Sequence, residues 1–213
     1  MKSGKKSEKK SKKTLKKKKL SSNITTIILI LIFLVGLSVM LYPTVSNYIN
    51  QRHQSKAIAA YDEKVSEMKP EDYTKYFEAA EKYNKKLAKN PSAFYNPDEI
   101  KGYEKILDIS GTGIMGYITI KKLGVELPIY HGTGDEVLQK AAGHLEGSSL
   151  PIGGESTHAV ISAHRGLPSA SLFTDLDQLE IGDHFLIHVL DETLCYEVDQ
   201  ILVVDPEDTS ALA

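Results

Sequence analysis

Histidine and cysteine are the side chains here best suited to moving protons or attacking a carbonyl near neutral pH, and the chain has seven of the first and one of the second. His164 stands apart by its neighbours. It follows Thr157 to Ala163, which reads as a nearly continuous apolar strand, and it precedes Arg165-Gly166-Leu167-Pro168, a turn. An imidazole held at a rigid strand end, at the mouth of a barrel, is placed to act as a general base or acid. His158, six residues earlier, would share a face with His164 on one continuous strand, but no third ligand accompanies them, which argues against a metal site. His131, His144, His158, His184 and His188 have neighbours that suggest no special role, and the strand pattern makes His184 and His188 exposed. Cys195 alternates with Leu194 and Tyr196 and has nothing basic beside it, so it reads as a small packed hydrophobe rather than an activated thiolate.

The elements that must position His164 are short. Gly116 to Ile120 and Val125 to Tyr130 read as strands around a Lys121-Lys122-Leu123-Gly124 turn. Asp135 to Ala142 reads as a short helix, and Ser169 to Leu179 as one or two helical turns. Phe185 to Leu190 and Leu194 to Val204 alternate around Asp191-Glu192. About six short strands with little helix indicate a mainly β fold, a small barrel or sandwich. The chain ends at Asp208 to Ala213 without a closing strand, and a barrel does not tolerate an open edge, so the sequence is expected to be cut short.

Upstream, Pro70 opens a helix with Glu71 and Asp72 in its first turn and Lys85, Lys86 and Lys89 near its end, which complements the helix dipole. Tyr73, Tyr76, Phe77, Ala80, Tyr83 and Leu87 form a stripe suited to packing. Two Asn-Pro pairs, Asn90-Pro91 and Asn96-Pro97, then predict an irregular, extended loop. Residues 46–67 read as a helix of mixed polarity.

The net charge of −2 hides a divided chain, with eleven lysines and one glutamate within residues 1–20 and an acidic remainder. No charged residue occurs from Leu20 to Gln51. The apolar run from Ile24 to Tyr42 would span roughly 28 Å as a helix, close to the thickness of a hydrocarbon core. Tyr42 and Tyr48 suit the interface, Pro43 ends the apolar run, and lysines on the N-terminal side alone place that terminus in the cytoplasm and the bulk of the chain outside. The run exceeds the ~7–15 residues of a signal peptide and no small-x-small site follows, so an uncleaved single-pass anchor in the cell membrane is expected, with membrane lipid rather than nucleic acid as partner of the tail. An exported domain with a single cysteine has no internal disulfide, which suits a Gram-positive surface. The divisions expected are a basic tail at 1–20, an anchor at 21–45, a helical stem and loop at 46–100, and a barrel portion at 101–213.

The run from Gly143-His144-Leu145-Glu146-Gly147-Ser148-Ser149-Leu150-Pro151 to Ala159-Val160-Ile161-Ser162-Ala163-His164-Arg165-Gly166 closely resembles the sortase family. Met115-Gly116-Tyr117-Ile118 and Leu127-Pro128-Ile129-Tyr130-His131-Gly132 fit its first two strands, and Leu167 to Leu176 resembles the pilus-assembling class C branch. The resemblance implies a closed sortase β-barrel, incomplete here, behind a transmembrane helix and helical stem. It implies a cysteine transpeptidase that cleaves LPxTG-like sorting signals between Thr and Gly and passes the acyl group to an amine, a pilin lysine or a cell-wall amine. It implies no metal and no organic cofactor. His164 matches the family histidine that pairs with the nucleophilic thiol.

Three departures follow. The family cysteine comes downstream of the histidine after a Thr-Leu-x-Thr strand, and an arginine comes later still; both are absent from this chain, whose arginines are Arg52 and Arg165. If the strand continued through Arg165, that side chain would point away from the face of His164. Where class C members carry an Asp-Pro-aromatic lid, this chain reads Asn96-Pro97-Asp98. Thr193-Leu194-Cys195 resembles the end of the nucleophile strand only superficially, because the following Tyr196 to Ile201 matches an earlier strand. The expected alternative to an enzyme is a non-catalytic surface protein of the same fold, a decayed sortase or a scaffold.

Overall fold

The computed structural model describes residues 4–205 and 207–212, the side chains of residues 4–22 and of residue 98 excepted. The side chains of the lysine-rich tail therefore lie outside the described residues. Two compact units divide the chain between Val45 and Ser46.

The first unit is helical, formed by the N-terminal part of helix α1 (Gly4–Glu67), which runs on through Pro43. Its apolar residues are exposed on every side, from Ile24 at 52% and Ile32 at 64% to Met40 at 78%. Among the described residues, the part of this helix that starts at Asn23 is long and apolar enough to cross a membrane.

In the second unit, the remainder of α1 and helix α2 (Pro70–Leu87) flank a sheet. α2 starts with Pro70 in its first turn, where the missing N–H costs nothing. Ala80, Tyr83 and Leu87 are buried and Tyr73, Tyr76 and Phe77 pack partly against the same core, as the stripe predicted. Asn84 joins them, donating from Nδ2 to the Leu150 carbonyl and accepting the Leu150 N–H. The Asn-Pro segment is more regular than the extended loop expected. Pro91–Phe94 and Pro97–Glu99 each form a 3-10 turn, because proline's fixed φ suits the first position while Asn90 and Asn96, each preceding a proline, stay out of the helical region.

The sheet has six strands: β1 (Ile114–Ile120), β2 (Val125–His131), β3 (Ala142–His144), β4 (Ile161–Ser162), β5 (His184–Val189) and β6 (Glu192–Glu197). Their order is β4-β3-β2-β1-β5-β6, with β2 and β3 parallel and every other pair antiparallel. The sheet curls into a half-barrel. Its concave side holds Ile118 and Ile120 of β1, Leu127 and Ile129 of β2, Ala142 of β3 and Ile187 and Val189 of β5.

Four boundaries differ from the sequence expectation. The helix at 135 stops at Leu138, and Ala142–His144 is drawn into the sheet by parallel pairing with β2. The strand expected from Thr157 is laddered only at Ile161–Ser162. Upstream of it, Val160 and His158 bond a turn instead of a strand, through Leu145 N–H to Val160 O and Ser149 N–H to His158 O. β6 ends at Glu197, not Val204, and the hairpin turn is Leu190-Asp191, with Leu190 left-handed at φ 53°. Segment 169–179, by contrast, has one 3-10 turn, Leu176–Gln178, within the one or two helical turns expected.

Gly116 sits where β1 meets β5 so closely that a Cβ there would lie 2.3 Å from the His188 carbonyl oxygen and 3.1 Å from Val189. Backbone cannot yield as a flexible side chain can, so Gly116→Ala should part the β1–β5 ladder. A loss of about 2 kcal/mol or more is expected in urea unfolding, and an unchanged midpoint would refute this account of the packing.

Candidate active site

His164 lies two residues beyond β4, half-buried, in a segment that continues the strand's extended course. The side chains of Ala159, Ile161, Ala163 and Arg165 line one cavity of about 510 Å³, whereas those of Val160, Ser162 and His164 do not. The two-residue alternation of an extended chain thus outlasts the two-residue ladder. The cavity is the concave side of the half-barrel, apolar in most of its lining and continued by the exposed run Ile201, Leu202 and Val203. His164 is not among the residues that line it, and its carbonyl accepts the Phe173 N–H at 3.1 Å. Arg165 points to the cavity side and donates from Nη2 to Asp177 Oδ2 at 2.6 Å.

Cys195 is not packed, as the sequence suggested, but exposed. On β6 and just past its end it is Leu194, Tyr196 and Val198 that turn toward the core, so Cys195 occupies the outward row. It pairs across the ladder with Leu186, while β4 lies at the opposite end of the strand order. The alternation was read correctly and the face was not. His188 is likewise not simply exposed: it stacks on Tyr117 with centroids 4.3 Å apart, and its nitrogens meet the Thr119 and Thr193 hydroxyls. His184 is exposed, 3.6 Å from a Glu197 carboxylate oxygen.

At the lid-like position, Asn96 is exposed and donates to the Ser92 carbonyl; Pro97 opens the second 3-10 turn, and the side chain of Asp98 lies outside the described residues. The loop is tied to itself by Glu99, whose carboxylate accepts from Asn90 and Ser92. It rests against Gly147, where a Cβ would come within 2.7 Å of the Ala93 carbonyl.

His144 is the residue whose importance the sequence hid. It is fully buried at the end of β3. Ser149 O lies 2.8 Å from Nε2, Ser148 Oγ 3.2 Å from the same nitrogen, and Tyr103 Oη 2.9 Å from Nδ1. A carbonyl only accepts, so Nε2 carries the proton; the Tyr103 hydroxyl accepts the Gly132 N–H and has one proton to share between the His144 carbonyl and His144 Nδ1, each 2.9 Å away. Ser148 Oγ donates to Leu145 O and accepts from Val160 N–H, tying the network to the segment that leads into β4. His131 adds a second tie, with Nδ1 2.9 Å from Gly113 O and Nε2 2.8 Å from Ile106 O. The residues were visible in the sequence, but their convergence spans from Tyr103 to Val160 and has no local signature.

Burial, opposed by the bond to Ser149, lowers the His144 pKa from 6.5 to about 4. Between these values the unfolded chain takes a proton that the folded chain refuses, so His144 contributes stability above pH 6.5 that is lost as pH falls toward 4. The loss should reach about 3 kcal/mol at most. Melting temperatures compared between wild type and His144→Gln from neutral pH to pH 4.5 should show a steeper acid decline in the wild type; parallel curves would contradict it.

Three comparisons bear on this arrangement. The family model described as "Sortase domain" matches residues 118–213. Sortase D of Bacillus subtilis (strain 168) is 33% identical over 97 residues, 46% of either chain, so this chain spans less than half the length of that relative. Among solved structures, sortase C1 of Streptococcus agalactiae is 46% identical with a TM-score of 0.66, covering 74% of this chain and 82% of its own. Sortase C of Clostridium perfringens, solved with the C-terminal cell wall sorting motif, is 39% identical with a TM-score of 0.61 over 74% of this chain and 82% of that one. By sequence identity and by the curl of its sheet, the chain belongs to the sortase family, with class C sortases as its structural neighbours.

Proposed function

We propose that this chain is the stem and barrel portion of a membrane-anchored cysteine transpeptidase that cleaves LPxTG-like sorting signals and joins pilin subunits or surface proteins through an amide bond. The observation that carries the reading is His164 two residues beyond β4, within a chain 46% identical to a sortase C1. Sortases are cysteine transpeptidases of cell-wall sorting, and the relative solved with a sorting motif supports that substrate class. In the expected division of labour, residues 1–20 are the cytoplasmic tail, 21–45 the anchor, 46–100 the stem and lid-like loop, and 101–213 the extracellular barrel portion. Asn96, Pro97 and Asp98 form the lid, without the acid and the aromatic usual there.

The chemistry asked of His164 follows from its two protonation states. A neighbouring imidazolium favours the thiolate, which adds to the Thr carbonyl carbon of the sorting signal. As the tetrahedral intermediate collapses, the C–N bond to Gly breaks and His164 gives its proton to the departing amine, leaving a thioester. The acceptor amine, from a pilin lysine or the cell wall, loses a proton to the now neutral imidazole as it attacks. The amide forms, the thiolate leaves and the imidazolium is restored. The reaction needs no metal or organic cofactor. It needs a thiol beside His164, and the one thiol in these 213 residues is on the outward row of β6. β4 has no ladder partner beyond β3 among the described residues, which makes its free edge the place for a thiol-bearing strand to pair. The outward placement of Cys195 on β6, at the opposite end of the strand order from β4, is what favours the second reading, a non-catalytic surface protein of the sortase fold.

In a form of the protein that carries a nucleophilic strand, His164→Ala should lower turnover of an LPxTG peptide with an amine acceptor by at least about 100-fold. Turnover near the wild-type rate would remove His164 from the reaction. In the same form, Cys195→Ala should leave turnover unchanged, and a thiol-trapping substrate analogue should label another cysteine; mass-spectrometric detection of the adduct on Cys195 would sink that exclusion.

A further inference from the structure

The segment between His164 and Thr174 is a closed loop. Phe173 N–H donates to the His164 carbonyl at 3.1 Å, and Gly166 N–H donates to Thr174 Oγ1 at 3.1 Å. Ala170, Leu172 and Phe173 are buried in the core. Leu172 is left-handed at φ 41°, a conformation that a branched apolar residue holds only where its surroundings impose it.

Two of those surroundings come from the stem. On α1, Asn47 Oδ1 accepts the Ser171 N–H at 2.8 Å, and Asn50 Nδ2 donates to the Ser169 carbonyl at 2.8 Å. The two asparagines are three residues apart, so they share one helix face, which continues through Gln54, bonded to Lys140 O, and Tyr61, bonded to Met115 O and the Leu190 N–H. The strained Leu172 is thus bracketed by Ser171, held by Asn47, and Phe173, which holds the His164 backbone.

We propose that Asn47 and Asn50 are positioning residues for His164: by fixing both polar ends of the Ser169–Ser171 turn, the stem helix sets the backbone from which the imidazole projects. The inference rests on the transpeptidase reading for its functional meaning, but the contact it names is independent of turnover. The stem is then part of the active-site framework and not only a tether. The two bonds have opposite polarity, which gives them separate chemical signatures. Position 47 needs an acceptor, and position 50 needs a donor.

The test uses the full 213-residue chain in lipid nanodiscs. Amide hydrogen exchange is followed together with the His164 Cε1–H resonance, identified by its loss in His164→Gln. Asn47→Ala and Asn50→Asp should each speed exchange at Ser171 and Phe173 about tenfold or more and displace the His164 signal. Asn47→Asp keeps an acceptor and Asn50→Gln keeps a donor, so both should retain the wild-type pattern. Ile118 and Ile129, within the central ladder, report whether the sheet stays folded. Unchanged loop exchange and an unmoved His164 signal in Asn47→Ala and Asn50→Asp would overturn the proposal, as would equal acceleration at Ile118 and Ile129, which marks a purely global loss of stability. Neither result touches the transpeptidase reading, which falls instead if His164→Ala retains turnover in a thiol-bearing form.

Discussion

The half-barrel depends on a strand too short to hold itself. β3 is three residues long, yet among the described residues it is the only ladder link between β2 and β4, and β4 contributes two residues to the sheet. Ladder bonds at so few positions leave most of the holding to side chains. The buried His144 imidazole supplies it, reaching Tyr103 on one side and the Ser148-Ser149 turn on the other, while Ser148 binds the Val160 N–H just ahead of β4. A network of this kind stabilises only when every member is satisfied, because an unpaired polar group in the same place would cost about 1–3 kcal/mol. That requirement selects one tautomer of His144 and one protonation state, neutral, and so couples the integrity of the β4 strand to pH.

The outer surface is managed differently. The stem helix meets the barrel portion with Asn47, Asn50, Gln54 and Tyr61, whose polar atoms bond backbone groups that no strand partner satisfies. Loops and hairpin ends expose such groups, and apolar side chains laid over them would leave them buried and unpaired. Amide side chains at helical spacing let the helix cover these regions while meeting their hydrogen-bonding needs. Tyr61 shows the economy of the arrangement, since one hydroxyl both accepts from Leu190 and donates to Met115, joining the ends of β5 and β1.

His164 and Arg165, adjacent in sequence, are separated by the extended backbone. Arg165 lines the apolar concave side with its charge matched by Asp177, whereas His164 does not line it. A guanidinium bound to a carboxylate at the rim of an apolar cavity keeps its charge neutralised without entering the core. The outward row of β6 exposes Cys195, and Val198, the residue after β6, lines the cavity. The same rule, that successive side chains point to opposite faces, therefore places three of the residues that matter most for chemistry.

The sequence by itself determined those features that depend on near neighbours. The apolar span from Ile24, the proline-started α2 with its packed stripe, the β1–β2 hairpin around Lys121–Gly124 and the strand-turn setting of His164 all rest on period, caps and turn residues within about ten positions of one another. Tertiary structure decided what local rules leave open. Alternation shows that Cys195 and Tyr196 take opposite faces, but only the packing of β6 says which face is core. The apolar run at 157–163 was long enough for a strand, but its length in the sheet is set by what lies opposite, and a turn at 145–149 offers bonds at His158 and Val160 without a continuous ladder. Likewise, His144 has unremarkable neighbours in sequence because its partners, from Tyr103 to Val160, are assembled by the fold. Hydrogen-bond partners and burial belong to the assembled chain, and no window of sequence contains them.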